Sequence, residues 1–306
     1  RGARRAALFV VALLCVAALW ELYKASGGAL DLWPHAERIP TELAIGIVGA
    51  QVVVDATPTS RAGTEAAVVR GRAALRGGAF LALAAKNALA VAAGEWLLGA
   101  HRDRVGIDAV LGGAGRALVR ELPELRQHCR GLCLVGNVTT TVLVQAIEQG
   151  ASIDEGIAEA KARGLLEPDP SLDLDGSDAA TKLIAVWGAV FGETWAEPPR
   201  SERVQREDLR SLDVEVLRER VLRGATTRLV ARGSRAGTEL RVAFEEVSVG
   251  SPLAAPADRV VYGYELAAGL RLHTGLAVGY ERTAAALLGD VAAAFAAETA
   301  VGEVRS

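Results

Sequence analysis

Gln51-Val-Val-Val-Asp55-Ala-Thr-Pro58 and, one helical stretch later, Phe80-Leu-Ala-Leu-Ala-Ala-Lys86-Asn87 are the segments from which the fold is read. The first is a β-branched run closed by a Thr-Pro turn, the pattern of a central strand. Arg61 to Arg76, rich in Ala, Arg and Glu, predicts a helix stopped by Gly77-Gly78. Phe80 to Ala85 predicts a second buried strand, Leu89 to Ala100 a helix, and Arg104 to Leu111 a third strand. Strands and helices that alternate through short turns predict an α/β fold with a doubly wound parallel sheet. Ligands of such sheets sit beyond the carboxyl ends of the strands. Thr57, Pro58, Lys86 and the turn Gly112-Gly113-Ala114-Gly115 fall there.

Working outward to the start, Arg1 to Arg5 is basic and Ala6 to Trp20 is an unbroken apolar run. Two readings stand. One is a secretory signal or short anchor, although a bilayer-spanning helix needs roughly 20 apolar residues and Glu21 and Lys24 close this run early. The other takes Leu8 to Cys15 as a strand buried on both faces of a parallel sheet, and the enzyme-like remainder of the chain favours it. The sequence contains no Met, from which a fragment or processed product is expected.

Working outward to the end, the character changes near Arg116. Arg130 to Val138 predicts a strand, Thr139 to Gln149 a helix, and Ser152 to Arg163 an amphipathic helix opened by a Ser152/Glu155 capping box and stopped by Gly164. Ser177 to Phe191 predicts a mostly buried helix, and Glu197 to Arg206 a polar surface loop. Thr226 to Val249 and Arg259 to Leu276 alternate as antiparallel strands do, and Arg282 to Ala297 predicts a last, Ala-rich helix. No internal repeat is present.

The chain of 306 residues is longer than one core usually needs, so two interlocked domains are expected. Apolar residues at 51% and charged residues at 23% describe an ordinary globular mixture. A net charge of -3 without a long basic block speaks against nucleic acid as a partner. Cys15, Cys129 and Cys133 form no CxxC pair, and His35, His101, His128 and His273 have no metal-ligand spacing. A disulfide framework and a zinc site are thereby disfavoured, and a reducing cytoplasm without membrane association is expected.

Glu167-Pro-Asp-Pro-Ser-Leu-Asp173-Leu-Asp175-Gly-Ser-Asp178-Ala-Ala-Thr-Lys182 carries five carboxylates before one lysine. Its prolines and glycine predict a rigid loop before the helix. Asp178 falls in the first helical turn, where the dipole favours its ionised form, and Lys182 lies on the same face one turn later. Acids beside a lysine suit a substrate with an ammonium group and a reacting carbonyl, the lysine polarising the oxygen or protonating it. A solvated acidic loop with an ordinary i,i+4 ion pair remains the competing reading. A calcium loop fits less well, because Ser171 and Lys182 would take the first and twelfth positions.

The stretch resembles the signature of homoserine dehydrogenases, Glu, Asp-Pro, Asp, Gly-x-Asp and Lys, in type and spacing. Asp55-Ala-Thr-Pro-Thr59, Ala84-Ala-Lys86-Asn87, Asn137-Val-Thr-Thr140, Ser251-Pro-Leu-Ala254 and Gly279-Tyr-Glu-Arg-Thr-Ala284 resemble further motifs of that family, so the likeness runs from about Val52 to Asp290. It implies a Rossmann-type doubly wound sheet with an inserted α+β catalytic and dimerisation domain. Residues 1–115 would bind nucleotide, completed by 277–306, and 116–276 would bind substrate and carry the dimer contact. The implied activity is interconversion of aspartate semialdehyde and homoserine with NADP or NAD, in a homodimer.

The same resemblance implies Lys182 as proton donor, Lys86 at the interface of catalysis and cofactor, and Glu167 and Asp178 on the substrate amino group with Asp173 nearby. Thr57 and Gly279 would line the nucleotide. A monovalent-cation loop, which takes sodium in the family, would correspond to Asp108, Leu111, Gly113 and Gly115, with Asp108 standing where the family has Glu. Departures are also expected. Nothing before Leu8 supplies the family's first strand and Gly-x-Gly-x-x-Gly turn, Gly275-Leu-Ala-Val-Gly279 lacks the central glycine of Gly-Pro-Gly-Ala-Gly, and no regulatory domain is expected after Ser306. Two rivals accompany this reading: a non-catalytic homologue that binds an amino acid or acts as a scaffold, and a membrane-anchored binding protein resting on Ala6 to Trp20 alone.

Overall fold

The structure, a computed structural model, describes residues 40–57, 63–86, 88–97, 99–162, 165–166, 171–192, 203–235, 240–276 and 280–304. The apolar run from Ala6 to Trp20, Glu167 and Gly279 lie outside these residues.

A first helix α1 (Thr41–Val48) leads into β1 (Val52–Asp55), α2 (Thr64–Arg76) and β2 (Phe80–Leu83). Helix α3 (Leu89–Leu97) and a 3-10 segment (Gly99–Arg104) then lead to β3 (Val105–Gly106). The three strands are parallel in the order β1-β2-β3, with Val52 opposite Phe80 and Leu81 opposite Val105. Helix α2 crosses over from β1 to β2 and buries Ala67, Val68, Gly71, Ala74 and Leu75, the stripe its helical spacing predicts.

The third strand is shorter than its apolar pattern predicts. Gly112 and Gly113 take φ of +61° and +85°, which turns the chain back. Leu111 N–H bonds to Ile107 O, and Gly113 N–H bonds to Asp108 O, so the stretch after Gly106 is a compact turn. The helix predicted to reach Ala100 is described to Leu97, and Gly99–Arg104 is a 3-10 segment.

From the turn runs α4 (Gly115–His128), then β4 (Gly131–Val135), α5 (Val138–Glu148), α6 (Ile153–Ala162), a single turn α7 (Ser171–Leu174) and α8 (Ser177–Phe191). A short β5 (Gln205–Arg206) and α9 (Val214–Leu222) precede two hairpins. These are β6 (Ala225–Ser234) with β7 (Arg241–Ser248), and β8 (Arg259–Leu266) with β9 (Gly269–Leu276). The final helix is α10 (Tyr280–Val304), longer at both ends than predicted. The capping box of α6 forms as expected: Ser152 N–H and Oγ–H reach Glu155 Oε2, and Glu155 N–H returns to Ser152 Oγ.

The second sheet has the order β5-β7-β6-β4-β8-β9, antiparallel apart from the β5–β7 pair. Every residue of β4 is buried, because this strand lies between the two hairpins. Alternate side chains divide between the faces. Leu132, Leu134, Leu229, Val242 and Phe244 join the helices in the main core, while Cys133, Val135, Val230 and Val261 gather with Leu253 in a smaller cluster.

Helix α8 packs on β4, β6 and β7 and also on α3. It is therefore buried on all sides, Asp178 through Phe191 without exception, and is apolar apart from its first two turns. The main core runs without a break from Trp96 through Trp187 to Leu229. Helix α10 packs on β2 and β3, closing the parallel layer with residues from the end of the chain.

Candidate active site

The site begins where β4 stops. Asn137 caps α5, its Oδ1 accepting Thr140 N–H at 2.8 Å. That bond decides which way the amide points, so Nδ2 faces the carboxylates. It donates to Asp173 Oδ1 at 2.9 Å and to Asp178 Oδ2 at 3.1 Å. Thr140 Oγ1 holds the carbonyl of Asp173 at 2.9 Å, and Asp175 N–H bonds to Ser171 O. The end of the acidic segment is thus the helical turn α7, where a loop was predicted, because α5 supplies it with tertiary partners. Thr139 Oγ1 likewise holds Leu165 O at 3.1 Å, two residues before Glu167.

Helix α8 presents Asp178 and Lys182 one turn apart. Lys182 Nζ donates to Asp178 Oδ2 at 2.8 Å and to Gly136 O at 2.5 Å. Lys86, just beyond the end of β2, places Nζ 2.9 Å from Asp178 Oδ1. One buried carboxylate therefore joins two lysines that are far apart in the chain. The side chains of Asp178 and Lys182 are 5% and 8% exposed and that of Lys86 is 27%, so Lys86 is the one that faces outward.

Burial would raise the Asp178 carboxyl, but the ammonium groups of Lys182 and Lys86 outweigh it and hold the group well below the usual carboxylate range. Burial, together with the charge of Lys86, lowers Lys182 against the pull of Asp178. Asp173 moves the other way: burial and the negative Asp178 push it up to about 6, against Asn137 and both lysines. The Tyr262 hydroxyl from β8 approaches Gly136; it is fully buried, has no hydrogen-bond partner among the described residues, and is pushed up chiefly by burial.

At the end of β1, Thr57 N–H and Oγ–H both bond to Asp55 Oδ1, at 3.1 and 2.7 Å. Arg70 from α2 reaches Asp55 Oδ2 at 3.1 Å and Thr57 Oγ1 at 3.0 Å. The amides of Ala84 and Ala85 bond to Asp55 O, which ties the segment carrying Lys86 to the Thr57 turn. Asp108, Leu111, Gly113 and Gly115 share the turn between β3 and α4, where Asp108 is fully buried and paired with Arg116.

The structure thus unites Lys182, Lys86, Asp178 and Asp173 in one centre and keeps Thr57 and the Asp108 turn at neighbouring strand ends. Sequence reasoning left Asn137, Arg70, Arg116 and Tyr262 without roles. For Asn137 a signal existed, an N-cap residue directly after a buried strand. For the other three none did, since their partners are set by tertiary packing.

Fold and site together first define a class: a Rossmann-type α/β protein with an α+β layer and a lysine–carboxylate centre where the two meet. Within that class the chain belongs to the homoserine dehydrogenase family, whose model matches residues 123–292, more than half of it. The chain is 35% identical over 91 residues to a homoserine dehydrogenase of Pyrococcus horikoshii, covering 29% of this chain and 27% of that protein. It is 27% identical over 225 residues to one of Pseudomonas aeruginosa, covering 68% of this chain and 49% of that protein. The matches therefore span about a quarter to a half of the length of these curated relatives. A solved hyperthermophilic archaeal homoserine dehydrogenase in complex with NADPH has the same fold, with a TM-score of 0.68 at 23% identity, over 90% of this chain and 81% of that one.

Proposed function

We propose that the chain catalyses the NAD(P)-dependent interconversion of L-aspartate 4-semialdehyde and L-homoserine. The observation that carries this reading is Asp178 held between Lys86 and Lys182. Lys182 gives its proton to the carbonyl oxygen as the alcohol forms, and its lowered pKa makes that transfer easier than for a free lysine. Lys86 adds positive charge beside the same oxygen. Asp178 keeps the two ammonium groups together despite their repulsion. Both of its oxygens face lysines, so the substrate ammonium falls chiefly to Asp173 and Glu167. Asp173, raised to about 6, is a carboxyl group that gains from a nearby cation.

Residues fit for the nucleotide lie at the parallel strand ends: Thr57, oriented by Asp55 and Arg70, and Lys86, with Gly279 carried over from the resemblance. A nicotinamide bound there would supply or accept the hydride. The domain division follows the same logic. The packing of α10 on β2 and β3 supports a nucleotide domain of 1–115 completed by 277–306, with 116–276 as the substrate domain. The homodimer is carried over from the resemblance. A cytoplasmic location accords with this chemistry, and no helix among the described residues is long and apolar enough to cross a membrane. The non-catalytic alternative is not favoured, since a binding module has no use for two lysines on one buried acid.

The test is NADP-dependent oxidation of homoserine by the whole chain and by Lys182→Ala. The variant should lose roughly 10²- to 10⁴-fold in kcat. Equal rates, or no turnover by the parent chain with either nucleotide, would overturn the reading.

A further inference from the structure

Among the described residues, Asp108 is the most deeply buried acid outside the active site, with 0% exposure. A buried carboxylate needs a cation or a full set of donors. The turn supplies a cation and a backbone donor from within. Arg116 Nε lies 2.8 Å from Asp108 Oδ2, and the backbone amide of Arg116 donates to Oδ1 at 2.9 Å. The Asp108 amide donates in turn to Asp290 Oδ2 at 2.9 Å, which pins the turn to α10.

The arginine has a built seat. The guanidinium lies against Gly289, the residue before Asp290, where an added Cβ would come within 2.4 Å of its Nη1. Strand β9 lies against the turn itself, since a Cβ on Gly275 would overlap Gly112 O, while the Arg116 side chain stays 56% exposed. The carbonyls of Asp108 and Leu111 already accept Gly113 N–H and Ala114 N–H. The remaining space beside Gly112 and Gly113 is about 20 Å³ and is lined by a second arginine, Arg282. An exchangeable cation brought here would meet one acid already paired with Arg116, a second, Asp290, already bound to the Asp108 amide, and the guanidinium of Arg282. The residues implied for a monovalent cation, Asp108, Leu111, Gly113 and Gly115, do not fit one in this chain.

We propose that Arg116 is the permanent counter-charge of the β3–α4 turn, in place of an exchangeable monovalent cation, so that the protein folds and works without sodium or potassium. Stability and ion binding read this out, so it can fail or hold independently of the dehydrogenase reading.

The experiment compares thermal unfolding in sodium, potassium and choline chloride at equal ionic strength, with ²³Na line widths recorded on the same samples. The wild-type Tm should agree within about 1 °C across the three salts, a difference of about 0.6 kcal/mol for a chain this long. The ²³Na line should be no broader than in the same buffer with an inert protein of similar size. Arg116→Lys, which keeps the charge, should stay insensitive to the cation. Arg116→Met should melt lower in choline by several degrees. A wild-type Tm raised by more than about 3 °C by sodium over choline, or a saturable broadening of the ²³Na line reversed by potassium, overturns the proposal. So does an Arg116→Met variant as stable in choline as the wild type.

Discussion

Two buried aspartates, Asp178 and Asp108, meet their positive charge in opposite ways. Asp108 is matched by one guanidinium and one backbone amide, both of Arg116. Asp178 is matched by two ammonium groups, from the end of β2 and from α8, and its charge raises a second acid, Asp173, nearby. The first arrangement is closed: arginine stays protonated, and its planar fork suits a fixed carboxylate pair. The second is poised, because burial and a like charge make a lysine give up its proton more readily. The contrast teaches that the same demand, neutralising a buried acid, yields a structural clamp with arginine and a proton-handling centre with lysine.

That contrast can be broken most severely at Lys182. Lys182→Arg keeps the charge but removes the transferable proton, so kcat should fall roughly 10²- to 10⁴-fold while the fold survives. Steady-state kinetics beside a far-UV spectrum would decide it, and near-parental turnover by the arginine variant would erase the distinction between the two acids.

Asp178→Asn comes next. Removing one member of a buried charge cluster leaves Lys182 uncompensated and should cost about 3–5 kcal/mol of stability, read as a lower denaturation midpoint with an unchanged m-value. Asn137→Ala should cost less, about 0.5–2 kcal/mol for the lost cap. It also removes the donor shared by Asp173 and Asp178, so the acid limb of the pH–rate profile should move upward. A loss of stability with an unmoved profile would reduce Asn137 to a helix cap.

The smallest effect belongs to Asp173. Its folded pKa of about 6 lies above the ordinary 3.8, so its stabilising contribution is complete below about 4 and is lost as pH rises through about 6. Asp178 has the opposite sign: its contribution is present at neutral pH and is lost as the solution becomes strongly acidic. Asp173→Asn should therefore flatten the stability profile between about pH 4 and 6.5, and denaturant melts across that range would detect it. A substrate ammonium should lower the Asp173 pKa in the wild type, so homoserine should shift the profile to lower pH.

Much of the site is legible in the sequence. The spacing from Asp173 to Lys182 marks acids one turn from a lysine, because helical periodicity is local. The capping box at Ser152 and Glu155 and the helix from Ser177 to Phe191 are legible for the same reason. Asn137 is half legible, as a cap but not as the bridge between two acids. The strand expected to reach Leu111 stops at Gly106, because apolar content cannot reveal that Gly112 and Gly113 reverse the chain. The loop expected ahead of Asp178 is the turn α7, because Thr140 holds it from another helix.

By itself, then, the sequence determined the local elements, the order of parallel units and hairpins, and the residue types of the active centre, all of which follow from periodicity, turn chemistry and spacing within a few residues. Only the tertiary structure decided that β4 lies between the two hairpins, that Lys86 and Lys182 share one carboxylate, and that Asp108 is held by Arg116 and Asp290. Those outcomes depend on groups brought together from distant parts of the chain. Whether a buried acid becomes a clamp or a proton-handling centre depends on which cation packing delivers to it.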